Sequence, residues 1–272
     1  MEIILNVKKT VDQNAQEYFE KAKKARKKLK GALEAIEKSK KKLLDAEKKA
    51  EEKISDLETR EKEEKEKFDN QRKKEWYESL RWFKSSEGYL VVGGRDSTTN
   101  EIVIKKRTDK TDLVFHTDMA GSPFFVIKSG GTDVDLKKDA VQTIQETADA
   151  TLCFSRAWKM GFSSTETFYV NPDQVTKDAN PGEHLPKGAF MIRGKTNYLQ
   201  PKLSLAIGMT KEGQIMCGPE PAIKVHCEKH VFLTNGGDEK PGAISKKIQK
   251  IIGGDLDDII RALPGSGVKI KK

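Results

Sequence analysis

The sequence has 272 residues, 36% hydrophobic and 34% charged, enough for one large domain or two smaller ones. Its 51 Lys and Arg outnumber 42 Asp and Glu, giving a net charge of +9; this balance favours phosphate-rich partners, and heavy Lys and Glu use also suits thermophile ion-pair networks. Three cysteines at unrelated spacings exclude a disulfide framework, and with no signal-peptide pattern and no run of 18 apolar residues the expectation is a soluble, cytoplasmic protein without a membrane partner.

Residues 1–80 hold 23 basic and 19 acidic side chains with few aromatics. Most large apolar residues fall in 81–272, so a sizeable core is expected only there. From Val11 onward, apolar or small residues recur at spacings of four and three, through Ala15, Tyr18, Ala22, Ala25, Leu29, Ala32 and Ile36 to Leu43 and Ala50. Sustained heptads predict a coiled coil, with Thr10 or Asp12 available as its N-cap. Residues 8–49 carry 15 basic and 7 acidic groups, and residues 50–69 carry 5 and 9. This charge split favours an antiparallel helical hairpin turning within 48–57, although Gly and Pro are missing between Ala32 and Glu87. A solvated spacer or a dimerisation element is the structural reading of the same arm.

Downstream, apolar runs at 89–92, 101–105, 113–117 and 124–128 are bounded by glycine and polar turns, which predicts a meander of short strands. Residues 135–159 carry helical apolar spacing, with Asp133 or Asp135 as the N-cap. A strand at 167–170 follows, then a loop over 171–188 rich in Pro, Asp and Gly. Strands are expected at 189–193, 203–209, 214–217 and 223–226, and closing helices near 243–252 and 256–263. The predicted class is α+β: a coiled-coil hairpin over 1–80, then a mostly antiparallel sheet domain with segregated helices over 81–272.

Several groups of residues could carry chemistry. Gly93-Gly94-Arg95-Asp96 reads as a hairpin connection in which Asp96 caps its own backbone, or as exposed amides beside a guanidinium that suit a phosphate or a flipped base. Lys105-Lys106-Arg107 and Arg193-Gly194-Lys195 put further cations at predicted strand ends, and the three turns are candidates for one RNA-facing patch. Tyr89 and the Trp82-Phe83 pair read as packing rather than stacking platforms. His116 and Asp118 share a strand face, but with Ser122 they lack the strand-turn-helix context of a hydrolase triad. Cys217, His226, Cys227 and His230 lack a Cys-x-x-Cys pair, so buried thiols are favoured over zinc. No dinucleotide or P-loop fingerprint is present, because Gly93-Gly94 has neither the glycine spacing nor, on this reading, a following helix.

Glu75-Trp76-Tyr77, Arg81-Trp82-Phe83, Gly93-Gly94-Arg95-Asp96 with Asn100-Glu101, Phe115-His116-Thr117-Asp118 and Gly121-Ser122-Pro123 together resemble the NFACT-R RNA-binding domain of the RqcH-type ribosome-quality-control proteins. Ser155-Arg156-Ala157-Trp158 and Pro186–Lys195 extend the likeness, and Asn14–Phe19 resembles the start of the family's coiled coil. The resemblance implies two helices running out and back, no catalytic residue and no cofactor. It further implies binding to tRNA and rRNA on a large ribosomal subunit obstructed by a stalled chain, which is then extended without a template. Members of that family carry an NFACT-N module before the coiled coil; this sequence starts at the coiled coil, so such a module is expected in cis or trans. The alternative is a coiled-coil structural or protein-interaction module without RNA specificity.

Overall fold

The computed structural model describes residues 4–69, 73–119, 121–131, 134–161, 165–178, 184–265 and 267–271, with backbone alone over 44–69. The chain divides into two compact units, 1–73 and 74–272.

The first unit is built on helix α1, Val11–Asp69. Thr10 opens it: its hydroxyl accepts from the Gln13 amide at 3.2 Å, while the Gln13 side chain accepts from the Thr10 amide at 3.0 Å. This is a reciprocal capping box. Asn14 is buried against the preceding turn, donating to the carbonyls of Asn6 and Thr10. The helix runs unbroken through 48–57, so the expected hairpin turn does not form there. The residues that fill 48–57 are mostly Lys, Glu, Ala and Leu, all strong helix formers, and a charge split alone supplies no signal that stops a helix.

In the second unit a six-stranded sheet has the order β1 (Arg81–Lys84), β2 (Leu90–Gly93), β4 (Phe125–Ile127), β3 (Leu113–Thr117), β5 (Thr167–Val170), β8 (Asn197–Leu199). A four-stranded sheet follows the order β10 (Ile215–Gly218), β9 (Leu205–Met209), β11 (Lys229–Thr234), β12 (Lys269–Ile270). A small ribbon pairs β6 (Val175–Thr176) with β7 (Met191–Ile192). Every pairing among the described residues is antiparallel. The chain is thus α+β with antiparallel sheets, as the patterning predicts.

Helices α3 (Leu136–Asp139), α4 (Val141–Cys153) and α5 (Arg156–Met160) belong with the first sheet, where α4 lies on β3, β4 and β5. Helices α7 (Pro241–Ile252) and α8 (Leu256–Ala262) cover the second sheet at β11 and β10. Fully buried Phe83, Phe115, Phe125, Trp158, Leu205 and Ile207 form a core shared by both sheets. Burial of such side chains stabilises the fold by about 1.5–3 kcal/mol each. The two sheets meet through β1 and β10, where a Cβ on Gly218 would stand 2.8 Å from Phe83 Cβ.

Three local expectations are corrected. Residues 101–105 lie in helix α2 (Ser97–Lys106) instead of a strand; the Asp96 cap nucleates the helix, and only Asn100 and Val103 need burial. Residues 223–226 belong to α6 (Glu220–His226), leaving β11 to pair with β9. The helix expected over 135–159 is broken at Ala140 and again at Phe154–Ser155, where Ser155 caps α5. Trp82 and Phe83, on edge strand β1, are buried in the core, as their reading as packing residues expects. The alternative cap Asp133 lies outside the described residues.

Candidate nucleic-acid interface

The turn from β2 into α2 is fixed by short polar links. The Asp96 carboxylate accepts from the Thr99 amide at 2.8 Å, and Thr99 Oγ1 accepts from the Arg95 and Asp96 amides at 2.8 and 2.9 Å. These bonds hold the Asp96 carboxyl below the ordinary carboxylate range. The Gly94 amide donates to the Phe124 carbonyl at 3.0 Å, and the Phe124 amide donates to Asn100 Oδ1 at 3.2 Å. A Cβ on Gly94 would fall 1.8 Å from that same oxygen, so a glycine is required here. Asp96 therefore caps its own backbone, and a helix does follow the glycines, contrary to the sequence reading.

This turn walls one side of a cavity of about 410 Å³. The opposite wall is the segment Pro186–Phe190, docked on α2 at Gly188. Gly188 has φ +83°, and a Cβ there would meet Ser97 Cα at 2.5 Å. Its amide donates to Glu101 Oε1 at 3.1 Å, and the same carboxylate pairs with Lys177 at 2.8 Å. Those donors hold the Glu101 carboxyl at about 2.

Two guanidinium groups line the cavity, Arg81 from β1 and Arg95 from the turn. Arg81 Nε and Nη1 are sealed from water and have no hydrogen-bond partner, and the group lies 4.3 Å from the Phe154 ring centroid. Burial, with Arg95 adding repulsion, lowers the Arg81 pKa to about 10. Burial first and the neighbouring Arg261 second lower that of Arg95. Among the described residues no carboxylate stands within ion-pair distance of either group. Arg81 is a desolvated cation whose nearest counter-charge, the Asp96 carboxylate, acts on it and on the exposed Arg95 without a direct ion pair, so an incoming anion would offset the remaining cost.

The remaining wall is aromatic. His116 stacks on Phe124 and approaches Phe168 edge-on, while Phe190 meets Phe124 edge-on at 5.4 Å. Burial holds His116 below its ordinary pKa, so the ring is neutral at pH 7. His116 Nδ1–H donates to the Pro123 carbonyl at 3.0 Å, rather than to Asp118. The Ser122 hydroxyl donates to the Met119 carbonyl at 2.8 Å and contacts Thr117 Oγ1.

Of the residues named from sequence, Arg95, Asp96 and His116 line this cavity, and Gly93 and Gly94 lie in the turn behind it. Lys105, Lys106 and Arg107 end α2, about 12 Å or more of helix rise beyond its first residue, Ser97. Lys105 pairs with Glu101 at 3.2 Å, and Arg107 lies 4.5 Å from the Trp76 ring centroid. Arg193 donates to the Asp178 carbonyl at 2.9 Å, and the Arg193 and Lys195 carbonyls both accept from Gln174. These residues do not line the cavity. Arg81, Lys187 and Phe190 fall within the family-like motifs of the sequence but are not assigned to the site by sequence reasoning, and Phe154 falls in none of them; the further signal for Arg81 is a charged residue opening an otherwise apolar strand. Elsewhere, the ring nitrogens of His226 and His230 bond the Ser85 and Cys227 carbonyls at 2.8 and 3.0 Å. Burial pushes the Cys217 thiol up strongly and Cys227 to about 11.

Residues 79–194 match the family described as the NFACT protein RNA binding domain. An archaeal Rqc2 homolog, aRqcH, of Methanocaldococcus jannaschii is 39% identical over 209 residues, covering 74% of this chain and 30% of that protein. The human ribosome quality control complex subunit NEMF is 37% identical over 189 residues, 69% of this chain and 16% of that protein. Ribosome quality control complex subunit 2 of Schizosaccharomyces pombe is 36% identical over 130 residues, 48% of this chain and 12% of that protein. The chain thus spans less than a third of the length of each of these relatives. It is an RqcH/NEMF-type protein, with its NFACT-R RNA-binding domain at residues 79–194.

Proposed function

We propose that this chain is a non-enzymatic RNA-binding factor acting on the obstructed large ribosomal subunit in ribosome-associated quality control. Its partners on this reading are tRNA and rRNA in the cytoplasm, with an NFACT-N module in cis or trans, and the ribosome itself supplies the peptide-bond chemistry of nascent-chain tailing. The observation that carries the reading is the pair of guanidiniums without a direct ion-pair partner, the buried Arg81 and the exposed Arg95, on one cavity of a domain matching an RNA-binding family. Their forked donors fit phosphate oxygens in pairs.

The test is affinity for tRNA and for purified large subunits at several salt concentrations. Neutralised phosphates give a log-affinity against log-salt slope of about −0.7 to −0.9 per contact. Arg95→Gln is expected to weaken binding and flatten that slope by about one contact. Binding that ignores salt, or no binding to either RNA or subunits, would refute the reading.

A second reading has one observation in its favour: Leu29, Leu33, Ile36 and Leu43 are exposed along α1. An arm of that kind suits a helical protein partner, and such a contact would show little salt dependence.

A further inference from the structure

We infer that the cavity between the β2–α2 turn and Pro186–Phe190 is a receptor for one unpaired nucleotide, its phosphate held by Arg81 and Arg95 and its base packed against Phe190. The inference rests on the RNA-binding reading above and deepens it, by assigning the recognised unit and the residues that hold it.

Three independent features converge on a ligand with an anionic end and a flat aromatic end. The first is charge. Arg81 presents buried guanidinium nitrogens without partners, and Arg95 stands close enough to repel it. Asp96 on the same cavity offsets part of this charge at a distance, and a phosphodiester brings the acceptor oxygens that Arg81 lacks, in a geometry that the guanidinium fork matches. The second is the apolar wall. The part-buried Phe190 presents a ring with the Lys177 ammonium 4.5 Å from its centroid, and the fully buried Phe124 backs it edge-on. Aromatic side chains with arginine are how proteins hold unstacked bases. The third is size: about 410 Å³ lies in the range of small-molecule pockets, well above what a phosphate alone needs.

His116 adds polarity to the wall. With Nδ1–H committed to the Pro123 carbonyl and the ring neutral, Nε2 has no partner among the described residues and can only accept. It is therefore suited to an N–H on a base edge. A base inside a duplex is stacked and its edges are paired, so this site selects single-stranded or extruded nucleotides. Lys187 at the mouth would meet the next phosphate along a strand.

The unit could come from an RNA strand or from a free nucleotide, and the experiment separates them. Binding is measured for a single-stranded 12-nucleotide RNA, the blunt duplex of the same length, AMP, CMP and inorganic phosphate. The proteins are the full chain and its Phe190→Ala, Arg95→Gln, Arg95→Lys and Arg81→Met variants. Expected is single-strand binding at least about tenfold tighter than duplex, reduced about tenfold by Phe190→Ala with the salt slope unchanged. Arg95→Gln should reduce both affinity and slope, and Arg95→Lys should restore the slope without restoring affinity. Arg81→Met counts only if its thermal transition matches wild type; the exposed Arg95 keeps the test decisive otherwise. RNA binding that is equal for single strand and duplex, and indifferent to Phe190→Ala and Arg95→Gln, overturns the pocket and leaves the RNA-binding reading standing. If no RNA binds, that reading falls, and the mononucleotides decide the pocket. AMP or CMP binding lost in Arg95→Gln supports it, and no mononucleotide binding overturns it.

Discussion

His116 lies face to face on Phe124, with ring centroids 4.0 Å apart and planes 5° from parallel. The stack joins β3 to the segment that carries the Asn100 link, so the state of one ring bears on the cavity wall. Because burial lowers the folded-state pKa of His116 below 6.5, the unfolded chain takes up this proton first as pH falls. Stability is then complete above pH 6.5 and declines as pH drops from 6.5 toward the folded pKa. His116→Phe keeps the stack and removes the titration. Urea unfolding at pH 7.5, 6.5 and 5.5 should give a flatter pH dependence for the variant, and equal slopes for both proteins would contradict this account.

Gly94 permits the close approach of Asn100 Oδ1 to the β2–α2 turn. Gly94→Ala should displace the Asn100 carboxamide, break its bond to the Phe124 amide and destabilise the second unit by about 1–3 kcal/mol. Denaturant midpoints measure the loss. A change within error would mean that the turn can shift at little cost.

Glu101 ties the Gly188 amide, Lys177 and Lys105 together on the face of α2. Its folded-state carboxyl at about 2 lies below the ordinary 4.5. The contribution is therefore present above pH 4.5 and lost as pH falls toward 2. Glu101→Ala should free Pro186–Phe190, seen as faster hydrogen exchange at the amides of 188–190, with a small change in melting temperature because the carboxylate is surface-exposed. Unaltered exchange at Gly188 would rule out the tether.

The unbroken course of α1 fixes a distance. Spin labels at positions 18 and 68 should lie about 75 Å apart, from a rise of about 1.5 Å per residue. A separation of two or three tens of ångströms would restore the hairpin.

Periodic and local features are readable in the chain alone. Its heptads and Thr10 define a helix from Val11, its alternating runs define β3, β5 and β9 closely, and its composition confines the core to the second unit. The family motifs around Gly93–Asp96 and His116–Pro123 are legible because their bonds run between near neighbours, Asp96 to Thr99 and His116 to Pro123, whereas Pro186–Gly188 is held by Glu101, 87 residues away. Tertiary structure alone decided what depended on distant partners. Ile102-Val103-Ile104 reads as a strand from its β-branched run, yet a single aspartate cap and the burial of Val103 make it a helix. Arg81 reads as a polar strand start, and only the folding of β1 beside Phe154, the β2–α2 turn and the segment at Pro186 turns it into a buried cation on a cavity. Burial and charge compensation are sums over residues more than a hundred positions apart, and no local pattern encodes such a sum. For the same reason Lys105–Arg107 and Arg193–Lys195, basic by composition, stand away from the cavity that Arg81 and Arg95 share.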